Sequence, residues 1–299
     1  LAAVIGAVAL AGATYSPNLT VPAGMVGRTI EVDGTPVRVL QRGSGPDVLL
    51  IHGSPGSIED WLPLMAALEP RFRLTAYDRP GHGYSGDPGQ YSFAYNAQFA
   101  LHLIEALKLR HVIVVGHSYG GSTGLAIALA GSNAVDGYVV IDSAAYRPSR
   151  PADATYRLLA IPVIGIGFAR VLGQFVAPKK IARGLDAVFP YQKPSAEFVA
   201  FRSALWAQPK VAHAIAMETL GAPEALAAQS ARYGEIHRPV SLLYERDLAT
   251  RRETAEQLHR AIAGSTLQLF SGVGHYLQIE RTADVAAAVT SLALSAAAR

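Results

Sequence analysis

Six apolar runs of strand length recur along the chain: DVLLIHG (47–53), FRLTAYD (72–78), HVIVVGH (111–117), GYVVID (137–142), VSLLYERD (240–247) and TLQLF (266–270). They are rich in Val, Ile and Leu and do not alternate polar with apolar positions, the pattern of strands buried on both faces of a parallel sheet. Helical spacing occupies 58–68, 93–107, 118–130, 250–263 and 281–296, and EVDGTPVRVL (31–40) reads as a leading hairpin that turns at Asp33-Gly34. Strand and helix in alternation predict an open α/β sheet covered on both sides by helices.

The rhythm breaks between about 144 and 238. No strand pattern occurs there, and 157–176, 195–209 and 211–220 read as short helices punctuated by Pro162, Pro178, Pro190, Pro194, Pro209 and Pro223. The chain therefore divides into an apolar N-terminal segment (1–20), a core formed by 21–143 together with 238–299, and a helical cap inserted as 144–237.

Half of the 299 residues are apolar and 16% are charged, enough to bury a large core and too little charge for global disorder. The net charge of +3 is scattered. Its densest clusters, Lys179-Lys180 with Arg183 and Arg251-Arg252, lack interleaved aromatics and read as solvated surface, so no nucleic acid is expected as a partner. The absence of cysteine excludes a thiolate nucleophile, disulfides and Cys-ligated metal. No histidine pair sits at ligand spacing, so no metal is expected.

LAAVIGAVALAGA (1–13) is uncharged but shorter than the roughly 20 residues of a spanning helix. It reads as the remnant of a signal or membrane anchor, with a helix packed on the protein's own surface as the alternative. The corresponding localisation is membrane-anchored or exported, otherwise cytoplasmic.

GHSYG (116–120) places Ser118 between two glycines, after an apolar strand and before an apolar helix. This is the context of a G-x-S-x-G nucleophile elbow, a sharp turn that exposes a serine hydroxyl at the sheet edge. A serine needs a base, and the base needs an orienting group. His275, in the Gly-rich loop after strand 266–270, would sit on the rim where Ser118 sits. His117, adjacent to the serine, would point away along the turn. Asp247 ends strand 240–247 and is the expected carboxylate; Asp142, ending strand 137–142 on the same rim, is its rival. Two N–H donors are required for an oxyanion. The amide of Tyr119 follows the nucleophile, and HGSPGS (52–57) supplies the other from Ser54, with His52 bonding nearby backbone as a scaffold.

HGSPGSIEDW, YDRPGHGYSG, GHSYGG, YERD and GVGHYLQIE, spread from residue 52 to 280, resemble the α/β-hydrolase superfamily in order and spacing. The resemblance implies a mostly parallel central sheet, a helical cap after the sixth core strand and cofactor-free hydrolysis through an acyl-enzyme. It implies Ser118 as nucleophile, His275 as base, Asp247 as orienter, Ser54 and Tyr119 as oxyanion donors, and no catalytic role for DRPGHG (78–83). Tyr244, where many members carry glycine, is a departure.

A serine at the nucleophile position argues against epoxide hydrolase and haloalkane dehalogenase chemistry, which use aspartate there. The expected activity is hydrolysis of carboxylic esters with hydrophobic or short-to-medium acyl groups, because the cap is strongly apolar. HGSPG also resembles the HGGPG loop of proline iminopeptidases, which makes an aminopeptidase or amidase the first alternative. A C–C bond hydrolase or perhydrolase shares the same residues, and a ligand receptor on this fold is the non-enzyme alternative. The expected partner is a small ester, with membrane contact through the N-terminal segment or the cap; the oligomeric state is left open.

Overall fold

The computed structural model describes residues 2–149 and 151–297; Leu1, at the head of the apolar N-terminal segment, lies outside them. The chain begins with helix α1 (Ala2–Ala13), followed by the hairpin β1 (Arg28–Val32) and β2 (Thr35–Arg42), which turns at Asp33-Gly34. Then come β3 (Asp47–Ile51), a 3-10 turn (Ile58–Trp61) leading into α2 (Leu62–Leu68), β4 (Arg73–Tyr77), α3 (Phe93–Ala106), β5 (Val112–His117), α4 (Tyr119–Ala130) and β6 (Val135–Ile141). Four helices follow without a strand: α5 (Ala154–Leu159), α6 (Ile164–Val188), α7 (Ala196–Trp206) and α8 (Pro209–Ser230). The core resumes with β7 (Val240–Glu245), α9 (Ala249–Ala261), β8 (Thr266–Phe270), α10 (Leu277–Glu280) and α11 (Thr282–Ala297).

The eight strands form one sheet in the order β1-β2-β4-β3-β5-β6-β7-β8, parallel from β4 through β8 and antiparallel at the β1-β2-β4 edge. Every residue of β3, β5 and β7 is buried, which is why their sequences run apolar without alternation. One apolar cluster lies on each face. Helices α3, α4 and α9 cover one, and α2 with α11 covers the other around Trp61, Leu64 and Val289.

The cap differs from its expected pattern of short helices. α6 runs through Pro178 and α8 through Pro223. A proline removes one backbone bond and strains the turn before it, but helix packing on both sides holds each helix continuous across that loss. α1 also finds a partner: it packs on α6, with Gly12 and Gly167 at the crossing. A Cβ at either glycine would collide with a backbone carbonyl of the other helix, that of Val163 or of Val8. Arg170 of α6 donates to the Ala11 carbonyl at 2.8 Å, capping the C-terminal end of α1. The N-terminal segment is thus a helix seated on the cap. Among the described residues no helix is long and apolar enough to cross a membrane.

Buried ions hold the cap to the core. Glu218 of α8 pairs with Arg79 at 2.6 Å and accepts from His82 at 3.2 Å, all three side chains being shut from solvent. Arg202 of α7 pairs with Asp60 at 2.6 Å, and Lys210 donates to the Ser85 carbonyl. Burial pushes the Glu218 carboxyl up, but Arg79 and then His82 overcome it and hold the group at about 2. Removing one partner leaves the other charge buried and unpaired, so Glu218→Gln is expected to cost about 3–5 kcal/mol in denaturant unfolding. Because the folded value lies below the ordinary value of 4.5, the carboxylate's contribution is complete above that value and is lost as pH falls through about 2. A cost below about 1 kcal/mol would mean that the pair does not hold the cap.

Candidate active site

Ser118 sits between β5 and α4 at φ 52°, ψ −119°, a left-handed strained conformation for a residue with a side chain. Its amide donates to the Ile141 carbonyl at 2.9 Å, locking the elbow against β6. The flanking glycines are needed for space. A Cβ at Gly120 would strike the Ile51 carbonyl, and one at Gly116 the Gly120 carbonyl. Tyr119 opens α4, so its amide is among the first-turn donors that the helix itself cannot use.

His275, in the loop after β8, lines the same cavity as Ser118. Its Nδ1 lies 2.6 Å from Oδ2 of Asp142, a carboxylate with no exposure. With Nδ1–H donating to Asp142, the lone pair is on Nε2, the tautomer a general base requires. Asp142 follows β6 directly and stands at φ 46°, a backbone turn that brings its side chain back over the rim. Its Oδ1 also accepts from the Glu245 amide at 3.3 Å.

The expected carboxylate is elsewhere. Asp247 is exposed; its Oδ2 accepts from the Tyr191 hydroxyl and from the Gly272 amide, each at 2.7 Å, and those two bonds hold its pKa below the ordinary value. It lines an adjoining cleft with Pro190 and Tyr191, which Arg251 and His275 also border, but its carboxylate bonds away from the imidazole. The geometry brings Asp142, and not Asp247, to His275. Both aspartates end strands on one rim, but only the Asp142 side chain turns inward to the histidine.

Two neighbours of His275 were misread from sequence. Arg251, taken for solvated surface, projects from the first turn of α9 to form an ion pair with Oδ2 of Asp142, and its Nη1 lies 2.6 Å from Nδ1 of His275. Having no hydrogen-bonding acceptor atom, a guanidinium so close disfavours an imidazolium. Burial first and Arg251 second thus depress His275 well below the ordinary histidine value. Burial pushes Asp142 up to about 6, against the pull of Arg251, leaving it ionised at neutral pH. His117 does not point away. It lines the cavity, its ring centroid 4.5 Å from that of His275, and its Nε2 lies 2.9 Å from the His275 carbonyl oxygen.

The loop after β3 completes the core side. Arg79 donates to the carbonyls of His52 at 3.1 Å and Gly53 at 3.0 Å, and His52 Nδ1 contacts the Gly53 carbonyl at 2.7 Å. The peptide plane between Gly53 and Ser54 is thereby oriented with its C=O toward Arg79 and its N–H facing the other way. The Ser54 hydroxyl oxygen is buried without a hydrogen-bond partner among the described residues, and Ser54 lines the cavity beside Ser118. The cavity measures about 490 Å³, within the range of ligand pockets, and its cap side is apolar: Leu159, Ile181, Leu185, Trp206 and Ile215.

A nucleophile elbow, a carboxylate-oriented imidazole and a roofed apolar cavity on a parallel sheet define a hydrolase of the α/β class. The model of the Alpha/beta hydrolase family matches residues 48–288, and the chain belongs to that family. The chain is 26% identical over 259 residues to an uncharacterized protein of Mycobacterium tuberculosis, covering 78% of this chain and 71% of that one. It is also 26% identical over 286 residues to the 2-hydroxy-6-oxo-2,4-heptadienoate hydrolase of Pseudomonas putida, covering 86% and 92%. Among solved structures, the enol-lactonase of Burkholderia xenovorans LB400 superposes with a TM-score of 0.74 at 22% identity, covering 89% of this chain and 99% of that one.

The two aspartates separate in a paired test. Asp142→Asn is expected to lower kcat by about 10³–10⁴-fold, and Asp247→Asn to change it less than about threefold. The reverse result in steady-state kinetics would return the orienting role to Asp247.

Proposed function

We propose that the protein is a serine hydrolase of carboxylic esters with hydrophobic or short-to-medium acyl groups. The observation that carries this reading is the convergence of Ser118 and the Asp142-oriented His275 on one apolar cavity. Nε2 of His275 takes the Ser118 proton as Oγ attacks the ester carbonyl, forming a tetrahedral oxyanion. The amides of Tyr119 and Ser54 receive that charge, and the unpartnered Ser54 hydroxyl is a third donor at the same place. Collapse gives the acyl-enzyme, with the proton passed from His275 to the departing alcohol. A water deprotonated by His275 then releases the acid.

The fold shared with an enol-lactonase is compatible with ester chemistry, since a lactone is a cyclic ester. A second reading, C–C bond hydrolysis, is favoured by the likeness to the heptadienoate hydrolase over 86% of this chain and by Lys180, a cation from the cap on the cavity wall. An aminopeptidase reading has less support. No carboxylate lines the cavity among the described residues, and Glu218 is engaged by Arg79, so a substrate's free amine has no counter-ion.

Turnover of p-nitrophenyl esters of rising acyl length tests the reading, with Ser118→Ala run alongside. The parent is expected to turn over and accumulate an acyl adduct on Ser118 visible by mass spectrometry; the variant is expected to lose about 10⁴-fold or more in kcat. An absence of turnover on every ester, with cleavage of a vinylogous 1,5-diketo acid instead, would establish the second reading.

The pH profile is a further check. Catalysis needs neutral His275 and ionised Asp142, so kcat/KM is expected to fall on the acid side near pH 6. Arg251→Gln removes the cation that favours both forms. Both groups then bind protons more readily, and the acid limb moves upward by about one pH unit. An unmoved limb would show that Arg251 does not tune the pair.

A further inference from the structure

Nine of the twelve large hydrophobic side chains exposed among the described residues lie on α1, on the turn before α6 or on the first half of α6. Val4 is 64% exposed and Phe175 76%, with Ile5, Leu10 and Val176 more than half exposed. The two helices that carry them are packed together across the Gly12–Gly167 crossing, so the exposed side chains share one layer of the molecule. Single exposed hydrophobics are ordinary; a concentration on one helix pair marks an interaction surface.

Cations predominate on this layer. Residues 2–27 carry no charge, and α6 carries Arg170, Lys179, Lys180 and Arg183, with the exposed Asp186 in its last turn. Arg170, Lys179 and Arg183 are exposed and form no ion pair among the described residues, whereas Lys180 faces the cavity. An apolar face bordered by unpaired cations is complementary to a bilayer interface with anionic headgroups, where side chains such as Phe and Val enter the acyl boundary and Lys and Arg meet phosphate. It is a poor match for a second copy of itself, which would bring like charges together. The opposite side of α6, through Ala177, Lys180 and Ile181, lines the cavity.

We propose that the α1–α6 layer docks on the surface of a bilayer containing anionic phospholipid. The α1–α6 pair then lies along the membrane surface, and α6 separates the lipid from the cavity. The docking adds to the hydrophobic-substrate reading but does not rest on it, because vesicle binding is read without any turnover.

The test is flotation of the whole protein with phosphatidylcholine vesicles, with and without phosphatidylglycerol. The expected result is flotation with phosphatidylglycerol, weakened about tenfold or more on phosphatidylcholine alone and in high salt. Phe175→Glu with Val176→Glu, and separately Lys179→Glu with Arg183→Glu, are each expected to weaken binding about tenfold while thermal melting stays near that of the parent. Should either pair unfold the protein, Phe175→Ser and the salt series on the unaltered chain still decide the matter. Absence of flotation on phosphatidylglycerol vesicles, or flotation unchanged in both variants, would overturn the proposal. So would a concentration-dependent dimer in sedimentation that Phe175→Glu dissolves, which would assign the face to a second copy.

Discussion

The buried guanidinium of Arg79 is the contact on which the rest of the site depends. It fixes the carbonyls of His52 and Gly53, donates to Oδ1 of Asn96 at 3.1 Å, and forms the ion pair with Glu218 that anchors the cap. A charge with no exposure is tolerable only if its donors are satisfied, and here they are spent on the loop beside the nucleophile and on the helix above it. Loop geometry and cap attachment are therefore one problem with one solution. A cap that detached would leave Arg79 unpaired in the core, so α8 is a fixed roof and not a swinging lid.

A second electrostatic arrangement sets the chemistry. His275, Asp142 and Arg251 crowd within hydrogen-bond distance, and the cation works in two directions. It helps Asp142 stay ionised despite burial, and it discourages a proton on His275. In the proposed mechanism the resting state so favoured, carboxylate with neutral imidazole, is the one that accepts a proton from serine. The cost falls on the imidazolium that forms during attack, which Asp142 must stabilise beside a permanent positive charge. Arg251 thus widens the pH range of the competent resting state at some expense in base strength.

Much of the fold was legible because burial on both faces leaves a plain signature: β3, β5 and β7 are apolar along their middles, with Asp47, His117, Ser241 and Glu245 at or near their ends, and were placed within a residue or two. Ser118 and His275 were legible because their surroundings are demanding, a glycine on either side of a strained turn and a glycine loop after the last strand. The carboxylate was not. Asp142 and Asp247 each end a strand on the same rim, and the choice between them depends on a positive φ at Asp142 and on which side chains reach Asp247 from outside, neither of which is written in local sequence. Arg251 was missed for a related reason. A basic residue in the first turn of a polar helix looks solvated until the helix is docked. Pro178 and Pro223 misled in the other direction, since they usually end helices and here sit within two that packing holds together.

The cap itself divides into two parts under opposite constraints. α7 and α8 reach the core through Arg202, Lys210 and Glu218, and the end of α6 does so where the Val188 carbonyl accepts from the His275 amide at 2.8 Å and Phe189 stacks on Tyr276. The first half of α6 has no such ties. Its close partner is α1, an uncharged helix whose own outer side is as apolar as that of α6. Burying one apolar helix on another while leaving both outer faces in water lowers the exposed area only in part, so the pairing is not explained by the hydrophobic effect within this chain alone. It is explained if the outer faces are covered by something apolar and negatively bordered, and the unpaired cations along α6 supply the polarity that such a cover must match.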